Sequence, residues 1–441
     1  MITGRVLLSA YLLLVFGIFE AAGGYSALAL AWMLASFALF VWACVLITRR
    51  RGLELPPAKA MVAALALMLV AGASRTPARY LSHPSFATWN TWLSLGYAVL
   101  CALYLQTSSR SALQRGVFVI GIALATALRV GVIIASPSPL IDVFQLAQQG
   151  AGYLLHGANP YSMPVWGSLE NGHLYAFDGY AYPPGNLLLQ TVTFALAHDG
   201  RFAAVLAELV FAYALWVVSR PLPLTHRELL ILLFLFTPRS LFLIEQAWTE
   251  PFIVGCFGAA ACLWLARRST AAAVAVGFTL GLKQYLAVVA LHFLILERRV
   301  KYWLIALAAA SAAFIPFALI DVRSLWKNGL LHVMGLEFSD MTLTVASALN
   351  HWRGWRPNPT LSGLVGVAFA AGFPLALRRV PPLLRYLLSV TGTLFGTFLF
   401  GARAYGNYYY LVGALILLAM AVQVLPQAEL EVGPNPPDGA P

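Results

Sequence analysis

The sequence predicts an all-α polytopic membrane protein of about 14 transmembrane helices, two of half length, with large extracytoplasmic loops carrying surface helices. Three observations lead there. Hydrophobic residues make up 60% of the 441-residue chain and charged residues 10%, more apolar surface than a soluble fold of this length can bury. The apolar residues fall into a series of runs separated by short basic segments. The surplus of 28 Lys and Arg over 17 Asp and Glu sits in those segments, the pattern of membrane orientation and not of a nucleic-acid surface.

The runs lie at about 6–22, 27–47, 60–74, 87–106, 116–136, 202–219, 228–244, 251–266, 271–296, 302–320, 361–377, 383–401 and 406–424, most of them near the roughly 20 residues that a crossing helix needs. The first, Val6 to Ala22, follows Arg5 and reads as an uncleaved anchor because further spans follow at once. Residues 1–110 are expected to form an N-terminal four-helix membrane module and residues 111–425 the larger membrane core. The polar, proline-rich tail 426–441 is expected to be disordered on the cytoplasmic side. Cys44, Cys101, Cys256 and Cys262 lie inside apolar runs without metal spacing and read as packing residues.

Basic loops orient the chain. "RRRGLELPPAK" (49–59), Arg110 with Arg115, Arg220 with Arg227, Arg267–Arg268, "RRVK" (298–301) and Arg378–Arg379 are expected in the cytoplasm. Five spans then precede Pro137, so the segment from Pro137 faces outward. With Arg220 inside, only one span fits between, and "PPGNLLLQTVTFALAH" (183–198) is left as a short helix on or dipping into the outer face. The run 271–296 begins and ends at cytoplasmic arginines, so it crosses an even number of times. It therefore reads as two half-length helices of about 18 Å each, turning at "GLKQY" (281–285). Broken helices at membrane depth persist only where protein buries them or a polar cavity is lined.

The outer loops are thus 137–201, 245–251 and 321–360, joined by "GARAYGNYYY" (401–410), whose Arg403 breaks the charge bias. From Val130 to Gly200 there is no Lys or Arg, although Asp142, Glu170, Asp178 and Asp199 are present. Apolar positions after Asp142 are spaced as in a helix lying along the surface, which Gly157 ends and "NPY" follows as a turn. An interfacial carboxylate suits a general base; it equally suits capping of that helix. His156 and His173 with Asp178 lack metal-ligand spacing, and no metal is expected. Arg129, Glu20 and Glu208 lie in apolar runs and read as buried ion pairs.

"DVFQLAQQGAGYLLHGANPY" (142–161), "YAYPPGNLLLQ" (180–190), "EQAWTEPFIVG" (245–255) and "GFTLGLKQYLAVVALHFLILERRVKYW" (277–303) occur in this order on one face. Together they resemble the C-type membrane glycosyltransferases, the GT-C superfamily, and most of all glycosyltransferase family 87, the polyprenyl-phosphate-mannose-dependent mannosyltransferases. The likeness covers about residues 117–410; the four preceding helices depart from relatives in which the Asp follows the first span. The resemblance implies a GT-C fold and an inverting transfer of mannose or another sugar from a polyprenyl-phosphate donor to a lipid or glycan acceptor. This would occur on the outer face of a bacterial plasma (inner) membrane, with that donor as co-substrate and no other cofactor. It implies Asp142 as catalytic base. Lys283, Arg403, Arg353 and Arg356 are the candidates for the donor phosphate, and His156, Asn159, Tyr161, Tyr182, Glu245, Glu250 and Gln284 for substrate contacts.

Plainer readings stand beside these. Lys283 snorkels or pairs with Glu245 or Glu250, and Arg403 with Tyr405 and Tyr408–Tyr410 forms an interfacial anchor. A transporter or lipid flippase shares broken helices and a buried Lys, though no repeat relates the two halves of this chain. A non-catalytic partner in an envelope assembly would not need Asp142. Membrane lipids are the expected surroundings and nucleic acid is not an expected partner.

Overall fold

The computed structural model describes residues 2–21, 24–50, 54–104, 112–168, 174–332, 338–356 and 358–422. Glu170, His173, Arg110 and the tail 426–441 lie outside the described residues. Among the described residues the architecture is all-α apart from one short ribbon. Five helices open the chain: α1 (Ile2–Ala21), α2 (Ala27–Arg50), α3 (Ala58–Ala73), α4 (Ser85–Tyr104) and α5 (Ala112–Ala135). Each is apolar round most of its circumference, and large side chains stay on the outside, among them Trp89, Trp92, Val99, Val119, Ile120 and Ile134. Such surfaces are stable against lipid and not against water. Helices α1, α2, α5 and the later Pro382–Phe400 are each long and apolar enough to cross a bilayer alone; up to six crossings result if each of two bent helix pairs counts as one. Further apolar helices of 10–17 residues complete the bundle.

The surface helix expected after Pro137 is α6 (Asp142–Leu155). It ends as "HGANP" dictates: Gly157 takes φ +75°, the amide of Ala158 donates back to Tyr153 O at 2.9 Å and that of Gly157 to Leu154 O at 3.1 Å, a glycine-terminated helix stop. Asn159 Oδ1 then accepts from the Tyr161 amide at 3.2 Å, a side-chain turn. An unexpected two-stranded antiparallel ribbon follows, β1 (Val165–Ser168) and β2 (Leu174–Phe177). Four-residue strands are too short to register as periodicity, though Asn171-Gly172 between them is a hairpin signal.

The segment 183–198 forms α7 (Pro184–Ala197), which meets α8 (Phe202–Val218) at a bend of 113°. Arg201 locks that corner. Its guanidinium pairs with Asp199 at 2.6 Å, donates to Ser136 O at 2.8 Å and lies 4.7 Å from the Phe144 ring centroid of α6; Gln148 of α6 donates to Asp199 at 2.9 Å. The surface helix is thereby fixed to the transmembrane bundle through the face that carries Phe144 and Gln148.

After α9 (Leu224–Leu235), α10 (Ser240–Glu245) and α11 (Glu250–Leu265) comes the run expected to break. Helix α12 (Ser269–Leu280) stops at Gly281, and Lys283 is fully extended at φ −154°, ψ 140°. The chain resumes as a 3-10 segment, Gln284–His292, and the short α13 (Phe293–Leu296). The second half is wound tighter than expected; at about 2 Å rise per residue nine residues still reach about 18 Å. Close packing of α12 on α14 (Val300–Ala312) requires Gly277, where a Cβ would collide with Ala306 O. The chain continues through α15 (Ile315–Ser324), a π-helical turn at Leu325–Leu331, α16 (Val345–Arg353), α17 (Pro359–Ala376), α18 (Pro382–Phe400) and α19 (Gly406–Val422). Helix α19 is buried along nearly its whole length and forms the axis of the bundle.

Several charges that lie in apolar runs are paired. Glu208 accepts from Arg129 and from the Tyr410 hydroxyl, and Arg129 also donates to Ala125 O at 3.0 Å and Leu235 O at 2.9 Å. Glu20 pairs with Arg75 at 2.8 Å. Partnering of this kind is the condition for keeping such groups in a low-dielectric interior.

Candidate functional site

One cavity of about 1230 Å³ opens between α6, the α7 entry, the Lys283 break and the start of α19. Asp142, Tyr182, Lys283, Gln284, Arg356 and Arg403 all line it. Residues separated by more than a hundred positions are thus brought to one chamber by three local features: the stop before α6, the extended residue between two short helices, and the "GARAYGN" entry to α19.

Asp142 is the first residue of α6, and the N-cap position belongs to Ile141, which is extended and has no side chain to cap with. Asp142 Oδ1 accepts from the Val143 amide at 2.8 Å, which satisfies one free amide of the first turn without making Asp142 the N-cap. The side chain is half-buried, and among the described residues no Lys or Arg forms an ion pair with it. Burial pushes its carboxyl above the usual carboxylate range, with the Val143 amide and nearby His332 opposing.

Lys283 is only 2% exposed. Its ammonium pairs with Glu250 Oε1 at 2.5 Å and lies 4.6 Å from the Tyr408 ring centroid, 5.4 Å from Tyr285 and 5.9 Å from Tyr182 and Trp248. Four rings and one carboxylate hold a charge that would otherwise be costly in this interior. Glu250 is further satisfied by Asn407 Nδ2 at 2.7 Å and the Tyr285 hydroxyl at 3.2 Å. It stands behind the wall and not among the lining residues. The break itself is held from α7: Asn186 Nδ2 donates to Leu282 O, and a Cβ on Gly185 would come within 2.8 Å of Gly281 O. Gln284 Nε2 donates to Gly329 O at 2.9 Å.

Several candidates are placed elsewhere. His156 is exposed at the end of α6, with Nδ1 2.7 Å from Gly152 O, and Asn159 serves the turn. Tyr161 is fully buried in a small core with Tyr180 and Phe317, its hydroxyl donating to Tyr182 O at 2.9 Å. Glu245 is buried behind the wall, where its two oxygens accept from the amides of Arg79 at 2.8 Å and Tyr80 at 2.6 Å. Arg353 is exposed over Trp352. These five residues shape the walls or face outward and do not line the cavity. Asp178 pairs with Lys327 at 2.6 Å, and among the described residues no three His, Cys, Asp or Glu come together.

Gln246 and Trp248 of the "EQAWTE" loop, which the resemblance placed beside Lys283, line the cavity, and sequence reasoning missed Arg79, Tyr80, Arg239, His332 and Asn407, which also line it. A signal existed for two of them. Arg79 breaks the charge bias of an outward loop just as Arg403 does, and Arg239 sits inside an apolar run, where an ionisable residue marks a site or a pair. Arg239 also takes φ +69°, the left-handed region that costs a non-glycine residue roughly 1–2 kcal/mol. The lining therefore carries Arg79, Arg239, Lys283, Arg356 and Arg403 against Asp142 alone.

Fold and cavity together define an α-helical integral membrane protein with a cation-rich internal chamber and one carboxylate on its wall. Comparison of the chain with protein-family models, curated proteins and solved structures finds no match.

Proposed function

We propose that the chain is a membrane glycosyltransferase of the GT-C type, most like family 87, using a polyprenyl-phosphate sugar on the extracytoplasmic face of the plasma membrane. The observation that carries this reading is the convergence of Asp142, free of any ion pair with Lys or Arg among the described residues, with Lys283, Arg356 and Arg403 on one cavity. In this reading the short helices complete a topology of about 14 membrane segments, with the cavity opening away from the cytosol.

The Asp142 carboxylate takes the proton of the acceptor hydroxyl as that oxygen attacks the anomeric carbon. The bond from that carbon to the phosphate oxygen breaks, and polyprenyl phosphate leaves with the electron pair. A single displacement inverts the anomeric centre. The departing phosphate gains charge, which Arg403 and Arg356 are placed to balance. Lys283 commits one of its three N–H donors to Glu250 and keeps two for the phosphate. The test is to incubate purified protein with labelled polyprenyl-phosphate sugars and a lipid and glycan extract. A labelled glycolipid or glycan is expected; movement of the donor across the bilayer without any transfer would instead establish a transporter.

A further inference from the structure

A second, smaller cavity of about 50 Å³ lies beside the first, between the end of α3, the start of α4, α5 and the loop after α9. On this measure it holds roughly three to five waters, the size of one tetrahedral oxyanion. Arg75, Arg129 and Arg239 line it, and no Asp or Glu does. Arg129 is committed to Glu208 and Arg75 shares a partly exposed pair with Glu20 at 2.8 Å. Arg239 forms no ion pair among the described residues. It donates to Thr76 O at 3.0 Å, its Nε has no partner among the described residues, and both the like charge of Arg75 and the opposite charge of Glu245, which does not line this cavity, stand close by. Two further polar groups face the same space: Asn90 and Ser94 of α4, 4% and 6% exposed, form no side-chain hydrogen bond among the described residues. A left-handed arginine held against another arginine, with an amide and a hydroxyl turned to a pocket lacking carboxylates, matches an anion with several acceptor oxygens.

We infer that this side cavity binds the phosphate of an anionic membrane lipid, held between Arg75 and Arg239. Its setting points to a lipid and not to free phosphate. Met68, Leu69 and Leu128 form the apolar part of the lining, and the neighbouring Trp89 and Trp92 of α4 are more than half exposed, as interfacial anchors are. Gly72 opens the entrance, since a Cβ there would meet nothing within 4 Å. The inference does not depend on the glycosyltransferase reading. It gives the N-terminal helices a binding role, and Arg239, which lines both cavities, makes them neighbours.

The test is native mass spectrometry of the full chain incubated with phosphatidylglycerol, with diacylglycerol, or with phosphatidylglycerol plus millimolar inorganic phosphate. The wild-type protein should retain phosphatidylglycerol and not diacylglycerol. Arg239→Gln should lower retention about tenfold, as loss of a charge-assisted hydrogen bond does. Gly72→Leu, which keeps every charge and projects into open space, should lower it as much with an unchanged thermal midpoint. Displacement by inorganic phosphate would support the same site with free phosphate as a second ligand; lipid that resists phosphate yet is lost in both variants supports it with the lipid as ligand. Equal retention of phosphatidylglycerol and diacylglycerol, or full retention by Gly72→Leu, would overturn the inference.

Discussion

Asp142 and Lys283 meet opposite fates when their environments are compared. The acid is half-buried and, among the described residues, forms no ion pair with Lys or Arg; the ammonium is enclosed by four rings and a carboxylate. Asp142→Asn keeps shape and hydrogen bonding to Val143 but cannot accept a proton, so transfer should fall about 10²–10⁴-fold while donor binding persists; unchanged turnover would remove Asp142 from the mechanism. Because burial raises the Asp142 carboxyl in the folded protein, its ionised form is the disfavoured one. Activity should therefore be lost, as pH falls, at a pH above the ordinary carboxylate value of about 3.9, read as the acid limb of the rate profile. The same shift makes stability fall as pH rises through the raised value, so Asp142→Asn should not lower the thermal midpoint at neutral pH. The Lys283–Glu250 pair yields an asymmetric cycle. Glu250→Gln leaves a buried ammonium with at most a neutral amide oxygen and no counter-charge, and should cost about 3–5 kcal/mol. Lys283→Met leaves a carboxylate that still accepts from Asn407 and Tyr285, and should cost less. The double variant should recover most of the stability in denaturant titration, yet none of the three should transfer sugar at the wild-type rate.

The site's geometry is set by where short elements stop. Helix α7 presses on the Lys283 break through Gly185 and Asn186. A methyl at Gly185 has no room against Gly281 O, so Gly185→Ala should displace the break and reduce transfer on the order of 10²-fold. The thermal midpoint should fall as well, since overpacking of this kind costs about 1–3 kcal/mol; wild-type kinetics would show that the break is held from elsewhere. At this scale the sequence was legible where a single residue type dictates the backbone. Gly157 ends α6 at a φ of +75° that other residues avoid, the Pro183–Pro184 pair starts α7 because proline fixes φ, and Gly281 with an extended Lys283 divides the 271–296 run. It was not legible where the outcome depends on what packs nearby. Tyr161, Asn159 and His156 sit in the segment most unlike its lipid-facing surroundings, but their polarity serves a turn and a small core. Glu245 and Glu250, five residues apart, differ in partner only because α10 ends between them and the chain turns through Ala247 at φ +59°. No periodicity encodes that difference.

For the whole molecule, apolar composition and basic loops establish that the chain lives in a bilayer, because lipid leaves a backbone few options. The N-terminal helices are less separate than their sequence suggests. Arg79 and Tyr80 line the main cavity through a loop that Glu245 holds, and the Tyr11 hydroxyl donates to Leu233 O at 2.9 Å across the bundle. Orientation is the property on which the proposed chemistry depends, since a polyprenyl-phosphate sugar and its acceptor must enter from one side. The native cysteines are all free, two of them buried and two half-buried in helices, so a background with all four replaced by Ala should remain folded. On it, Asp142→Cys, Lys283→Cys and Arg356→Cys should react with a small charged thiol reagent applied from outside intact cells, because all three positions line one chamber. Arg220→Cys, Arg298→Cys and Arg378→Cys should react only after the membrane is opened, because they fall in the loops that the charge bias assigns to the cytoplasm. Reaction of 142 and 283 from opposite sides would separate the acid from the ammonium by the thickness of the hydrocarbon, and no transfer across a single chamber could then be assembled from them.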